Sequence, residues 1–300
     1  MSTAVVAPSI QGVVVEQGDG QSGRLRVSTR TDPADVLGDR LATDGYLFLP
    51  GFHDSGAVAG ARSPMVLRLA AAGLLHPAFD PDDLVARPGV ASTWLDGLTD
   101  ANPSLHELLY GRSTLDFFDA LLGEPTRHYD FTWSRAVSAG QGTAPHCDVV
   151  FMGRGASRVV TMWTAMCDIP EAVGGLCVLE GSHRDHDALR AYRSFDVDTY
   201  CESLNEQPTA SLGRGGSFPI TDPNALQTML SGRWLWNDYR AGDVLVFGLG
   251  TMHASLDNLS NRLRISTDTR YQRASEPIDG RWVGAAPVGH SLAAQEPRIC

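Results

Sequence analysis

From about residue 127 onward the sequence breaks into short runs rich in Val, Thr, Phe, Trp and Tyr, separated by glycine-bearing turns: HYDFTWSRAV, HCDVVFM, RVVTMWTAM, GGLCVLEG, DVLVFGLG and RLRISTDTRYQ. β-Branched and aromatic side chains suit the pleated, half-buried surface of a sheet, and glycine supplies the turns between strands. Several such strands in succession point to a sandwich or a closed barrel. No internal repeat and no low-complexity run divides this part of the chain.

The first half reads differently. ADVLGDRLATDGYLFLPGF, residues 34 to 52, predicts a helix, a turn at Asp44-Gly45 and a short strand. AVAGARSPMVLRLAAAGLL predicts a second helix that Pro64 starts or interrupts. In STLDFFDALLG the spacing of Leu115, Phe118, Leu121 and Leu122 predicts a buried helix, stopped by Gly123 and Pro125. Residues 1–30, rich in Gly, Ser, Gln and Val without a sustained period, read as a flexible N-terminal arm. Residues 31–300 are then expected to form a single domain.

With 300 residues, 43% of them hydrophobic, the chain has material for a large core. A formal net charge of −11, a pI near 5.2 and the lack of a basic run argue against nucleic acid or an anionic membrane as partner. No apolar stretch is long enough to span a bilayer, and MSTAVVAPSIQGVVVEQGDG does not resemble a secretory signal, so a cytoplasmic location is expected. The five cysteines, an odd number without C-x-x-C, read as reduced thiols.

One short stretch stands out for chemistry. In APHCDVV, residues 144 to 150, His146 and Asp148 lie two apart, and in an extended strand that spacing turns both to the same side, within reach of one metal ion. Alone, such a pair reads first as a hydrogen-bonded polar contact or a simply exposed one, so a distant partner decides. Of His183, His186, His253 and His290, His253 has the most telling context. It ends the run GDVLVFGLGTMH, and RLRISTDTRYQ is expected to return beside it with Arg264, Ser266, Asp268 and Arg270 on one polar face. Two histidines and one carboxylate leave three positions of an octahedral metal open, the facial triad of non-haem Fe(II) oxygenases, whereas a closed zinc site uses four protein ligands. Arginine suits a carboxylate ligand because its planar fork forms two charge-assisted hydrogen bonds, and Arg264 lies 11 residues after His253.

Taken together, His146 and Asp148, Trp163, the loop GGLCVLEGSHR, GDVLVF, His253 with Ser255, Arg264 and the early DGYLFLPGF resemble the phytanoyl-CoA dioxygenase family of Fe(II)/2-oxoglutarate oxygenases. The resemblance covers roughly residues 34 to 275, less a stretch in the middle; Glu180 stands where the family usually has proline. It implies a mainly β fold with flanking helices, the double-stranded β-helix or cupin-like jelly roll. It also implies Fe(II) on His146, Asp148 and His253, and 2-oxoglutarate chelating that iron with its far carboxylate on Arg264, assisted by Ser255 and Trp163. O2 would take the last position, and oxidative decarboxylation to succinate and CO2 would be coupled to hydroxylation of a small molecule, natural-product or amino-acid-like. The retained Asp148 favours hydroxylation over halogenation.

Other readings stay open at this point. Arg270 shares the strand face and could be the anchor; Trp163 could be plain core; Ser255 could cap a turn; His183 reads as a loop-stabilising residue. A non-catalytic jelly-roll binding protein and a metal-dependent hydrolase are the rival functions. Residues 185–240 carry no family signature and are expected to contain a substrate lid; Arg154 reads first as an ordinary surface arginine, and at the mouth it would favour an anionic substrate. The sequence says nothing of oligomeric state.

Overall fold

A computed structural model of the chain describes residues 7–18, 20–91, 97–140, 142–202 and 212–290. In chain order its elements are β1 (Ser9–Ile10), β2 (Val13–Val14), β3 (Ser22–Arg24), α1 (Ala34–Asp44), β4 (Tyr46–Leu49), α2 (Ser55–Ala71), α3 (Pro103–Tyr110), α4 (Arg112–Leu122), β5 (Thr126–His128), β6 (Trp133–Val137), α5 (Val149–Met152), β7 (Val160–Ala165), β8 (Leu176–Leu179), α6 (Asp187–Arg193), α7 (Val197–Glu202), α8 (Pro223–Leu230), β9 (Trp234–Trp236), β10 (Val244–Gly248), β11 (His253–Ser255) and β12 (Arg264–Arg273).

Two sheets face each other. The larger runs β4-β10-β7-β12, with β5 and β6 following one another along the far edge of β12; the smaller runs β11-β8-β9-β3. All pairings in them are antiparallel except β3 with β9. This is the expected jelly roll, open rather than fully closed. Helices α1 to α4 pack outside the larger sheet, where Leu37, Val58, Met65, Leu69, Leu105, Leu109 and Phe118 join one core with Leu47, Leu49, Met162, Val244 and Val246. A second cluster lies outside the smaller sheet, where Cys177, Leu179, Trp234, Trp236 and Ala254 meet Leu189, Leu226 and Leu230. Both outer faces are thus buried in apolar side chains, and polar chemistry is concentrated between the sheets.

Several expectations need correction. Residues 7–18 and 20–30 are not a loose arm: Ile10, Val15 and Leu25 are buried, β3 extends the smaller sheet, and the Asp257 carboxylate accepts hydrogen bonds from Ser9 Oγ, Gln11 N and Gly12 N. Alternation is too brief there to give a sequence signal, and tertiary contacts hold the segment. α2 runs straight through Pro64, begun by Asp54, whose side chain accepts from Ala57 N, and held down by five buried residues including Met65 and Leu69. HCDVVFM is not a strand, because the chain turns helical at Asp148 and forms α5. The run toward His253 is two strands in different sheets, β10 ending at Gly248 and β11 starting at His253. β12 therefore does not lie beside His253; it lies in the opposite sheet, between β7 and β6.

The stretch expected as a lid is in large part scaffold. β9 places Trp234 and Trp236 in the smaller sheet, with their indole N–H groups donating to the Pro223 carbonyl and to Glu171. Arg154 is occupied rather than free: its guanidinium grips the Asp196 carboxylate through two hydrogen bonds of 2.6 and 2.7 Å. Residues 203–211, the centre of the expected lid, lie outside the described residues.

Candidate metal centre

The two histidines meet because their backbones do. His146 and His253 form an antiparallel pair in which each N–H donates to the other's carbonyl at 2.9 Å, so both side chains leave the ladder on the same face, with ring centroids 4.1 Å apart. Each ring is turned by its own strand. His146 Nδ1 lies 2.8 Å from the Ala144 carbonyl oxygen and His253 Nδ1 lies 3.0 Å from that of Thr251. A carbonyl only accepts, so the proton sits on Nδ1 and the bare Nε2 lone pair of each ring points inward. Burial pushes the His146 imidazole down to about 3, helped by the neighbouring His253, and burial lowers His253 as well. Both rings are neutral donors at neutral pH.

Asp148 completes the set from a different geometry than an extended strand. Its backbone is helical, φ −62° and ψ −22°, and this bend brings Oδ1 to 3.8 Å from His146 Nε2 and 3.7 Å from His253 Nε2. Among the described residues these three form the one cluster of at least three His, Cys, Asp or Glu groups suited to a metal ion, with ligand atoms within 4.8 Å of one another, and all three are buried. The other oxygen, Oδ2, accepts from Thr161 Oγ1 at 2.6 Å and from Arg270 at 2.9 Å. Burial alone would raise the carboxyl, but Arg270, the two histidines and Thr161 outweigh it and hold Asp148 well below the usual carboxylate range. Two imidazole nitrogens and one carboxylate oxygen fit a non-haem iron, with the other face left to ligands.

The glycine-rich loop after β8 builds the approach to His253. Ser182 Oγ accepts from Met252 N, Arg193 reaches the carbonyl oxygens of Ser182 and Gly250, and Thr251 Oγ1 donates to Gly45. His183, as expected, serves this loop: its Nε2 lies 3.1 Å from the Ala42 carbonyl and its ring fills the space beside Gly45, which has φ +81°.

Along β12 the four polar residues Arg264, Ser266, Asp268 and Arg270 share one face and are all buried. Across the ladder, Arg270 stands opposite Thr161 and Asp268 opposite Trp163. Arg270 is committed to Asp148, with its guanidinium 4.2 Å from the Trp133 ring centroid. Asp268 is paired with Arg135. Arg264, 1% exposed, has no carboxylate partner among the described residues; it donates to the Gly174 carbonyl, and Cys167, Cys177, Tyr239 and the Arg135 cation are among its neighbours. Burial without an anion pushes its guanidinium down to about 10. Gly174 itself has φ +79°, and a Cβ there would collide with the Leu256 carbonyl oxygen, so only glycine lets the chain pass under Arg264.

Ser255 lies on the same side of β11 as His253, and its Oγ accepts from Thr143 N at 2.7 Å. Trp163 packs against Tyr239, ring centroids 4.8 Å apart. Of the groups around the cluster, Thr161 and the Arg270–Asp148 contact were not singled out from sequence. The signal for Thr161 was present, since it stands two before Trp163 and therefore faces the same way.

Residues 42–266 match the phytanoyl-CoA dioxygenase (PhyH) family. The chain belongs to the phytanoyl-CoA dioxygenase family. Solved structures with a similar fold include the epimerase SnoN from nogalamycin biosynthesis in complex with Fe3+, α-ketoglutarate and nogalamycin RO, at TM-score 0.55 and 20% identity, covering 86% of this chain and 95% of that one. The carbocyclase SnoK of the same biosynthesis aligns at TM-score 0.58 and 17% identity over 85% and 89% of the two chains. EctD from S. alaskensis in its apoform aligns at TM-score 0.56 and 18% identity over 97% and 92%. No curated protein sequence matches the chain. With this family and this donor set, the protein is an iron- and 2-oxoglutarate-dependent oxygenase that uses O2. No helix among the described residues is long and apolar enough to cross a membrane.

Proposed function

We propose that this oxygenase hydroxylates an unactivated C–H bond of a small molecule, natural-product or amino-acid-like, in the cytoplasm, with release of succinate and CO2. His146, Asp148 and His253 are the iron ligands in this reading, and Arg264 is the anchor for the far carboxylate of 2-oxoglutarate. The observation that carries it is the pairing of charges between the sheets. Asp148 holds Arg270 and Asp268 holds Arg135, which leaves Arg264 as a buried cation whose natural partner is an incoming carboxylate.

Iron, when bound, supplies the activation of O2 and the oxidative decarboxylation of the cosubstrate. The chain's own contribution is positional. The two Nδ1–H bonds to backbone carbonyls fix both imidazole planes, so the Nε2 lone pairs need no reorganisation on binding. Ser255, on the same side of β11 as His253, keeps a hydroxyl proton free to donate to the carboxylate that Arg264 holds, because its oxygen is the acceptor in the bond from Thr143 N. The Trp163 indole N–H is a further donor in this reading, set on the strand face that carries Thr161. Burial keeps water from the Arg270–Asp148 pair, whose side chains are 3% and 4% exposed.

Anaerobic addition of Fe(II) and then 2-oxoglutarate to the apo protein, followed in the visible range, tests the cofactor assignment. A weak charge-transfer band that needs both additions is expected. A folded protein that gives no band, and makes no succinate in air, would remove the proposal. Product analysis by mass then separates hydroxylation, a gain of one oxygen, from epimerisation or ring closure.

A further inference from the structure

We propose that Arg270, together with Thr161, is a positioning residue that holds Asp148 to the metal through a single oxygen. The inference rests on the assignment of His146, Asp148 and His253 as iron ligands. Within the carboxylate the two oxygens have separate surroundings: Oδ1 faces both Nε2 atoms at 3.7 and 3.8 Å, while Oδ2 takes the Thr161 hydroxyl at 2.6 Å and the Arg270 guanidinium at 2.9 Å. Two donors occupy the two lone pairs of Oδ2. For both oxygens to reach one ion, Oδ2 would have to leave a buried cation and a buried hydroxyl with no water to replace it, since Arg270 and Asp148 are 3% exposed each and Thr161 is fully buried.

The two donors are built in as a pair. Arg270 and Thr161 stand directly opposite each other on neighbouring strands β12 and β7, so both arrive from one face of the larger sheet. Arg270 is further held by the Trp133 ring against its guanidinium. The consequence is a count of open positions. A carboxylate held to one oxygen leaves three places on a six-coordinate ion, two for a chelating 2-oxo acid and one for O2, whereas a carboxylate free to use both would close one of them.

The test uses the full-length protein and Fe(II) alone, titrated anaerobically against a chromophoric chelator, with circular dichroism to confirm folding. Thr161→Val keeps the shape and removes one donor; Arg270→Leu removes the other; Arg270→Lys restores a single donor. Loss of such outer partners typically weakens metal binding by about 10- to 100-fold, and we expect Arg270→Leu in that range, Thr161→Val in the same direction and Arg270→Lys between Leu and wild type. Because both act through Oδ2, the losses in the double variant should not simply add. On iron-loaded variants the 2-oxoglutarate charge-transfer band should shift. Wild-type iron affinity in a folded Arg270→Leu protein would overturn the proposal. A Thr161→Val variant with unchanged iron affinity and an unchanged charge-transfer band would also overturn it, since Thr161 would then hold nothing at the metal carboxylate. If the wild-type protein itself failed to bind Fe(II), the iron assignment would fall first.

Discussion

Replacing Arg264 by methionine should move stability and cosubstrate binding in opposite directions. Arg264 lies 1% exposed with no carboxylate partner among the described residues, and burial pushes its guanidinium from 12.5 down to about 10. A lowered pKa on a group that is still charged at pH 7 means that the folded state bears that charge at a cost of about 3 kcal/mol relative to the unfolded chain. Methionine removes this cost and keeps much of the volume. Against it stands the Gly174 carbonyl, which loses its donor, a penalty of roughly 1 to 2 kcal/mol. The apo protein should therefore gain about 1 to 2 kcal/mol, seen as a midpoint about 2 °C or more higher. The cosubstrate should tell the opposite story: removing one member of a buried charge pair costs about 2 to 5 kcal/mol of binding, near 30-fold or more. Anaerobic thermal unfolding of the iron-loaded protein reads both, because ligand at about 100 times its wild-type Kd stabilises the wild type by about 2.7 kcal/mol and should stabilise the variant by about 1 kcal/mol or less. A variant with a lower apo midpoint and an undiminished response to 2-oxoglutarate would refute the reasoning, and a loss confined to Arg270 variants would transfer the anchor there.

His146→Ala, Asp148→Ala and His253→Ala should each abolish succinate production while the circular dichroism stays that of a folded protein; any one of them with near wild-type turnover is not a ligand. His53, 6% exposed with Nε2 unpartnered among the described residues, is pushed down to about 3 by burial. The unfolded chain takes up its proton first, so stability is complete above about pH 6.5 and falls as pH drops toward 3, by about 2 kcal/mol between pH 7 and 5. Denaturant midpoints at the two pH values should show this loss in the wild type and less of it in His53→Phe; equal losses would assign the acid sensitivity elsewhere. Asp257 accepts from Ser9 Oγ, Gln11 N, Gly12 N and Gly142 N, so Asp257→Ala should cost about 3 kcal/mol and speed proteolysis within residues 7–18, whereas an unchanged cleavage rate would show that the N-terminal segment is held by other contacts.

What the chain determined by itself was chiefly local chemistry. Short β-rich runs between glycines specified β6, β7, β8, β10 and β12, since strand preference and turn formation depend on neighbouring residues. The polar alternation of Arg264, Ser266, Asp268 and Arg270 was legible for the same reason: period two is a property of any extended strand. The spacing of His146, Asp148, His253 and Arg264 likewise identified the family. Sheet membership was not legible, because β10 and β11 read as one run until the turn at 249–252 carries the chain from one sheet to the other. The same limit hid the bend at Asp148, which brings its carboxylate to the histidines by leaving the strand. The placement of residues 9–12 also came from outside the segment, through Asp257 far along the chain. Most of all, which acid each of the two arginines on one strand face would meet was not legible. Only packing could answer it, because Asp148 and Asp268 are brought to Arg270 and Arg135 by contacts between strands, and Arg264 is left without an acid by the same arrangement.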